Sequence, residues 1–319
     1  MDLIDKKILC ELDINCRTPY SKIAKKLRIG RNVFDYRVKK LEKESVITNY
    51  ICSINLGKLG YNTYKIYFKI KSSNIDKEKR FINFILEDKR AIHFLKTEGS
   101  FDYTIAVAVK DIKELDEFIS ELRDNFNEII NDYMISIVVF SRIFKLHKLL
   151  LKENKEIIKF DKYDNNKDQI TLDDKDKVIL KTLSNNAKLS IVALSEVTGL
   201  SIDIIKYRLK ILSSTIISSF RMIPDINKLG FFHYVAMLKI RNSSINEEKN
   251  FVNWCANKYN IMYLTKRIGY FDYELNFAIM DIKELNSFIS ELKLNFNNII
   301  DSYELIINSN LLKLNYLPF

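Results

Sequence analysis

The chain has 319 residues, of which 47% are hydrophobic and 29% charged, with a net charge of +10; these are the proportions of a soluble globular protein, and the length exceeds one compact core. Seven glycines and three prolines exclude a low-complexity tract, and the longest uncharged apolar runs, such as ISIVVFS from Ile135, are far shorter than the roughly 20 residues of a membrane span. Four scattered cysteines without a CxxC pair argue against a disulfide framework or zinc site, and acids within MDLIDKKILCELD argue against an export signal, so a cytoplasmic protein is expected.

In chain order, Ile4, Ile8, Leu9 and Leu12 mark a first helix. A second is expected to open at Thr18 and Pro19, where Thr caps the free backbone donors and Pro suits the first helical position; Ile23, Ala24 and Leu27 form its inner face. After a turn at Arg28 to Gly30, a third helix places Phe34, Val38, Leu41 and Ser45 on one stripe at about 100° per residue. The opposite stripe holds Asn32, Asp35, Tyr36, Lys39 and Lys43, with Arg31 and Lys40 at its margins.

Two helices joined by a short turn, the second with polar and basic side chains outward, form the helix-turn-helix arrangement, whose recognition helix enters the major groove N-terminus first. Arg31, Asn32, Asp35 and Lys39 are therefore the candidates for base edges. Lys22, Lys25, Lys26, Tyr36, Lys40 and Lys43 are the candidates for phosphates, which set affinity and register without reading sequence. A solvated helix face is the bland alternative, but ten basic residues against two acidic ones between Arg17 and Lys43 favour DNA. Arg37 falls beside the core stripe, so its stem is expected to pack.

Beyond Val46 the pattern becomes strand-like, as TNYICSINL. In YKIYFKIK, Tyr64, Ile66, Phe68 and Ile70 alternate onto one face. A helix from about Asp76 to Asp88 follows, then a strand ending at Gly99, a strand from Phe101, a helix carrying Leu115, Phe118, Ile119 and Leu122, and a last strand over roughly 133–139. The order β-α-β-β-α-β is that of a ferredoxin-like half-open sandwich, one sheet face of which still needs a cover.

The chain is also a duplication. DIKELDEFISELRDNFNEIINDY from Asp111 recurs as DIKELNSFISELKLNFNNIIDSY from Asp281, identical at 16 of 23 positions at an offset of 170. The fold class is α+β, a tandem repeat of a winged helix-turn-helix and a ferredoxin-like sandwich. Expected domains are 1–55 and 171–225 for the two helix-turn-helix units, 60–150 and 230–319 for the two sandwiches, and 151–170 for a charged linker.

These features resemble the Lrp/AsnC (feast/famine) transcription regulators, through LDINCRTPYSKIAKKLRIGRNVFDYRVKKLEKESVITNY and TEGSFDYTIAVAV followed by DIKELDEFISEL. The resemblance covers both repeats and implies dimerisation through the sheets and an amino acid or related effector. The family's G-x-x-D-[YF] pattern makes Gly99, Asp102, Tyr103, Gly269, Asp272 and Tyr273 the effector-binding candidates, although a Gly-x-x-Asp turn also uses its carboxylate to bond its own backbone. Two departures stand out. There are two units per chain, and the usual Gly-Leu-Ser turn is Gly199-Leu200-Ser201 in copy two but Arg28-Ile29-Gly30 in copy one.

In copy two, KLSIVALSEVTGLSIDIIKYRLKIL carries only four basic residues against two acidic ones, so it is expected to bind DNA weakly or to contact protein. The partners implied are double-stranded DNA and a possible small-molecule effector. The sandwiches pair within the chain as a pseudo-dimer or between chains as a homo-oligomer. No cofactor, metal site or catalytic residue is expected: nucleotide, zinc-protease and nucleophile-elbow motifs are missing and His93, His147 and His233 are dispersed, with only His93 placed near the sheet. Two alternatives remain open, a sirohaem decarboxylase-like enzyme of the same architecture and a protein-interaction module. Glu274 and Asn276 are read as facing outward, where copy one has Thr104 and Ala106.

Overall fold

A computed structural model describes residues 1–71, 75–152, 161–164 (backbone only), 169–241 and 243–319. Copy one begins with α1 (Leu3–Asn15), α2 (Tyr20–Leu27), α3 (Arg31–Lys43) and β1 (Ile47–Ile54), and continues with β2 (Asn62–Ile70), α4 (Ile75–Glu87), β3 (Ala91–Gly99), β4 (Tyr103–Val109), α5 (Ile112–Phe126), β5 (Ile130–Ile143) and α6 (Leu146–Leu151). A short β6 (Asp161–Asp164) follows. Copy two repeats the series as α7 (Asp174–Asn185), α8 (Ile191–Thr198), α9 (Ile202–Thr215), β7 (Ile217–Pro224), β8 (Phe232–Ile240), α10 (Ile245–Asn257), β9 (Ile261–Ile268), β10 (Tyr273–Ile279), α11 (Ile282–Phe296) and β11 (Ile300–Leu314). Among the described residues, no helix is long and apolar enough to cross a membrane.

The local chemistry explains the helix starts. Asp2 caps α1 and Asp173 caps α7, each accepting from the backbone N–H three residues on. The repeated DIKEL motif is likewise a start signal: Asp111 accepts from Lys113 N and Glu114 N, and Asp281 from Glu284 N. Thr18 does not cap α2 as its sequence suggests. The helix begins two residues later, with Pro19 at the cap, no side-chain bond there, and the Lys22 and Ile23 amides on the Pro19 carbonyl. The turn into α3 holds Arg28 at φ 56° where copy two uses Gly199 at φ 69°; a side chain in this left-handed region costs roughly 1–2 kcal/mol.

The two copies interlock twice. The single strand after each helix-turn-helix pairs with its counterpart, β1 antiparallel to β7, with Ile51 opposite Arg221. These two residues are equivalents at the offset of 170, so a pseudo-two-fold axis passes between them. Each wing strand is thus half of a ribbon shared between copies. Below it, the sandwiches join edge to edge through β5–β9 and β3–β11. Together with the pairs β2–β4, β3–β4, β2–β5, β8–β10, β9–β10 and β8–β11, this closes an eight-stranded barrel, and β6 adds to the outer part of β5.

Closure answers what covers the second sheet face. Tyr64, Ile66 and Phe68 pack outward under α4 and α5 in one core, with an equivalent core under α10 and α11. The alternate residues, Lys65 and Tyr67, point into the lumen. A third core runs through both helix-turn-helix units and α6. The charged segment 151–170 is more than a linker: β6 pairs with Phe140–Ile143, and Ile170 N donates to the Lys58 carbonyl. Residues 153–160 and 165–168 lie outside the described residues.

Candidate nucleic-acid interface and barrel lumen

On copy one, Phe34, Val38 and Leu41 are buried and Asn32, Tyr36, Lys39, Lys40 and Lys43 are exposed, which the 3.6-residue period dictates. Of the ten basic residues counted from sequence, two are engaged internally. The Arg17 guanidinium donates to the Ala187 and Leu189 carbonyls, both at 2.7 Å, which locks copy one onto copy two. Arg37 donates to Asp2 and Asp5 at 2.7 Å, a pairing that Arg208 repeats on Asp173 and Asp176. The retained Tyr-Arg arginine is therefore structural in both copies.

The remaining candidates differ in freedom. Arg31 and Asp35 are joined by an i,i+4 ion pair at 2.8 Å, with the guanidinium also 5.2 Å above the Tyr20 ring. Lys26 bonds Glu11 at 2.6 Å and Lys40 lies 3.9 Å from Glu44. Lys22, Lys25, Lys39 and Lys43 are exposed with no ion pair among the described residues. The equivalent face of copy two presents Ala193, Glu196, Val197, Ile202, Ile211 and Ser214 where copy one has Lys22, Lys25, Lys26, Arg31, Lys40 and Lys43. Val197 is 66% exposed and Ile211 43%.

The six residues of the G-x-x-D-[YF] motif hold backbone, packing and seam positions. Asp102 Oδ2 accepts from Ile70 N and Asp272 Oδ2 from Ile240 N, each at 2.7 Å, so the carboxylates fasten the turn to the neighbouring strand. Tyr103 and Tyr273 are buried under α4 and α10, with their hydroxyls on Glu78 and Glu248. Gly99 and Gly269 sit at the seams. A Cβ on Gly99 would lie 3.1 Å from the Leu305 carbonyl, and one on Gly269 3.1 Å from that of Ile135. The motif closes the barrel, and none of its six residues lines the cavity inside it.

That cavity, about 430 Å³ in volume, opens between the lumen and the helix-turn-helix pair. Sequence reasoning missed it, because Glu274 and Asn276 point inward rather than out and are 2% and 7% exposed. His233 lines it together with His93, so two histidines lie on the sheet rather than one. Glu274 is the hub. It accepts from Lys65 Nζ at 2.7 Å, Tyr67 Oη at 2.6 Å, Asn276 Nδ2 at 2.8 Å and Arg267 Nη2. The Asn276 amide oxygen then meets His233 Nε2 at 3.1 Å, and Asn308 Nδ2 lies 3.1 Å from the same ring nitrogen.

The electrostatics follow from enclosure. Burial raises the Glu274 carboxyl, but Arg267 and Lys65 overcome it and hold the group down at about 2. Burial lowers Lys65 to about 8, against the pull of Glu274. Burial also lowers His93, beside the Lys65 charge, to about 3, and His233 to about 4, so both rings are neutral near pH 7. Lys65, Arg267 and Glu274 leave one net positive charge in the lumen. A signal in the sequence could have found this set: at the offset of 170, Lys65, Arg267, Glu274, Asn276 and Asn308 stand opposite Val235, Thr97, Thr104, Ala106 and Val138, changes of charge and polarity that fall on the strand positions alternate to the helix-side core.

A helix-turn-helix with a basic third helix, set on paired ferredoxin-like sandwiches, defines the class as a helix-turn-helix regulator. Winged helix-turn-helix DNA-binding is the family description that matches residues 1–48 and 172–214, one stretch in each copy. The chain is 31% identical over 122 residues to the HTH-type transcriptional regulator Ptr1 of Methanocaldococcus jannaschii, covering 38% of this chain and 80% of that one. It is 25% identical over 123 residues to the DNA-binding transcriptional activator DecR of Escherichia coli, covering 38% and 81%. A solved structure of the siroheme decarboxylase NirDL matches 99% of this chain and 94% of its own, with a TM-score of 0.62 and 13% identity, a likeness of fold alone. The chain belongs to the Lrp/AsnC family of DNA-binding transcription regulators, with two units of the family in tandem.

Proposed function

We propose that this regulator reads duplex DNA chiefly through copy one, with α3 in the major groove. The observation that carries the reading is the contrast between two faces built on one backbone, where six basic positions of copy one become Ala193, Glu196, Val197, Ile202, Ile211 and Ser214 in copy two. Asn32 and Lys39 face the base edges. Asp35 holds the Arg31 guanidinium by a charge-assisted bond and presents it as an oriented donor. Lys22, Lys25, Lys26, Tyr36, Lys40 and Lys43 lie along phosphates. Because both sandwich seams close within the chain, one chain acts as its own pseudo-dimer.

The test is charge reversal of Lys39→Glu with Lys40→Glu against Lys210→Glu, with DNA affinity measured across a salt series. The copy-one variant should lose most of its binding, and the slope of log affinity against log salt should shrink by about 0.9 for each phosphate that is no longer neutralised. Equal losses from the two copies would sink the reading.

A second reading, a sirohaem decarboxylase-like enzyme, is favoured by one feature: the lumen gathers His93, His233, Lys65 and Arg267. Visible absorption after mixing with sirohaem tests it. A spectrum equal to that of free sirohaem removes this reading.

A further inference from the structure

The lumen differs from an ordinary barrel core in having polar groups that nothing answers. Arg267 is 2% exposed, yet its Nε and Nη1 donors meet no acceptor among the described residues, and the Asn308 Oδ1 is also unpartnered. Leaving such groups unpaired is expensive, most of all for a charged one. Both residues line the cavity. At its other end, toward the helix-turn-helix pair, the lining turns apolar with Phe144, Leu146, Leu149, Ile261 and Met262. Deeper in the barrel, beyond Lys65 along β2, Tyr67, Phe101, Val235, Met237, Phe271 and Ile306 pack into a plug. The space therefore has a cationic inner end, an apolar outer half and a mouth beside the helix-turn-helix units.

We propose that this lumen is an effector site for an organic acid with an apolar body and no ammonium group. The carboxylate is bound by the free donors of Arg267, within the positive field that Lys65 completes. Its apolar body lies against the outer half. An amino acid is disfavoured because the carboxylates that lie within the cavity are already paired with cations, Glu274 with Lys65 and Arg267 and Asp13 with Arg221, while Asp225, half-buried just past the wing strand, accepts the amides of Asn227 and Lys228. An ammonium entering the inner end would meet positive charge without a free counter-ion. The volume of about 430 Å³ lies within the roughly 300–1,000 Å³ usual for small-molecule sites. The mouth is partly walled by Asp13 and Arg221, the ion pair that joins the two helix-turn-helix units, so an occupant touches the junction. Its role as an effector rests on the DNA-binding reading, whereas binding itself does not.

The test is calorimetry on the full chain with three acids, 2-naphthylacetate, phenylpyruvate and octanoate, beside 2-naphthylacetamide and 3-(2-naphthyl)alanine. At least one acid should bind at a single site, and at least about tenfold more tightly than its uncharged or amino-acid counterpart. Arg267→Met, which leaves Glu274 with Lys65, Tyr67 and Asn276, should weaken that acid by about tenfold or more. Ala106→Leu, which fills the lumen beside Lys65 while keeping every member of the charged cluster, should do the same, with circular dichroism confirming that each variant is folded. Failure of all three acids to bind overturns the site, as does binding that is indifferent to the carboxylate or to Ala106→Leu. DNA affinity measured with and without the bound acid then separates the two readings: a site that binds the acid while the protein fails to bind DNA overturns the DNA reading and leaves the site standing.

Discussion

Removing Arg221 tests how the two helix-turn-helix units are held. Its Nε and Nη2 lie 2.8 and 2.7 Å from Asp13 Oδ1, while Asp13 Oδ2 accepts from Leu146 N at 2.7 Å. Asp13 is 1% exposed and Arg221 5%. In Arg221→Leu the Asp13 carboxylate stays buried with one amide donor, and breaking a buried pair in this way costs about 3–5 kcal/mol. Adding Asp13→Asn removes the stranded charge and keeps an oxygen for the Leu146 amide. The double variant should therefore lie only about 1–2 kcal/mol below the wild type, the scale of a neutral hydrogen bond. Ile51, which faces Arg221 across the ribbon, shows that an apolar residue suits the same position in the other copy. Urea denaturation followed by circular dichroism gives the three stabilities, and the sign of the coupling is the readout. A single variant within about 1 kcal/mol of wild type, or a double variant less stable than the single, refutes the reasoning.

The lumen predicts an early acid limb. His93 and His233, lowered by burial to about 3 and about 4, stay neutral when folded but take protons when unfolded, so their stabilising contribution is present above about 6.5 and is lost as pH falls from there toward 3. Glu274, held at about 2, adds a contribution present above its unfolded value of about 4.3 and lost toward 2. Unfolding free energy should thus decline from about pH 6.5, before ordinary carboxylates protonate, and His93→Gln with His233→Gln should flatten the upper part of that decline; an unchanged slope in urea midpoints counts against the neutral rings. At the barrel seam, Gly269 has φ +149° and an added Cβ would lie 3.0 Å from Ser136 Cβ. Gly269→Ala should cost about 1–3 kcal/mol and more than Gly199→Ala, where φ is +69° and nothing lies within 4 Å; equal costs in thermal denaturation would remove the seam argument.

What was legible in the sequence was whatever local periodicity and internal repetition determine. Phe34, Val38 and Leu41 of the α3 core stripe, the structural placing of Arg37 and the β-α-β-β-α-β order follow from spacings of two to four residues, which chain geometry fixes, whereas Ser45, expected on the same stripe, lies past the helix end at φ 54° and is exposed. The lumen was not legible, because alternation says that Lys65 and Ile66 face opposite ways but not what lies on the second side. Glu274 and Asn276 were assigned outward by the rule that polar residues seek water; only closure of the barrel by the other copy makes that side an interior. For the G-x-x-D-[YF] motif the sequence allowed both an effector role and a carboxylate bonded to backbone; the seam role of its glycines was not legible, because it depends on the other copy.

The pattern of divergence between the copies points the same way. Leu115, Phe118, Ile119, Leu122 and Phe126 are identical to Leu285, Phe288, Ile289, Leu292 and Phe296, while the strands beneath exchange one apolar residue for another, as Ile66 for Ala236 and Phe68 for Leu238, so the helix-side cores have stayed apolar in both copies. The change in polarity between the copies is concentrated at two other places: the outward face of the third helix and the inward face of the barrel. A close-packed apolar core limits exchange to other apolar residues, a limit that the solvent-facing helix surface and the cavity lining do not share. A lumen that only filled space would be best served by apolar residues, since a buried charged cluster is often no more stable than a hydrophobic one of the same volume. Copy two instead supplies Arg267, Glu274, Asn276, Asn308 and His233, with two Arg267 donors unanswered. That composition fits the proposed recognition of a ligand better than a gain in stability, and it is the reason to look for the regulatory signal inside the barrel.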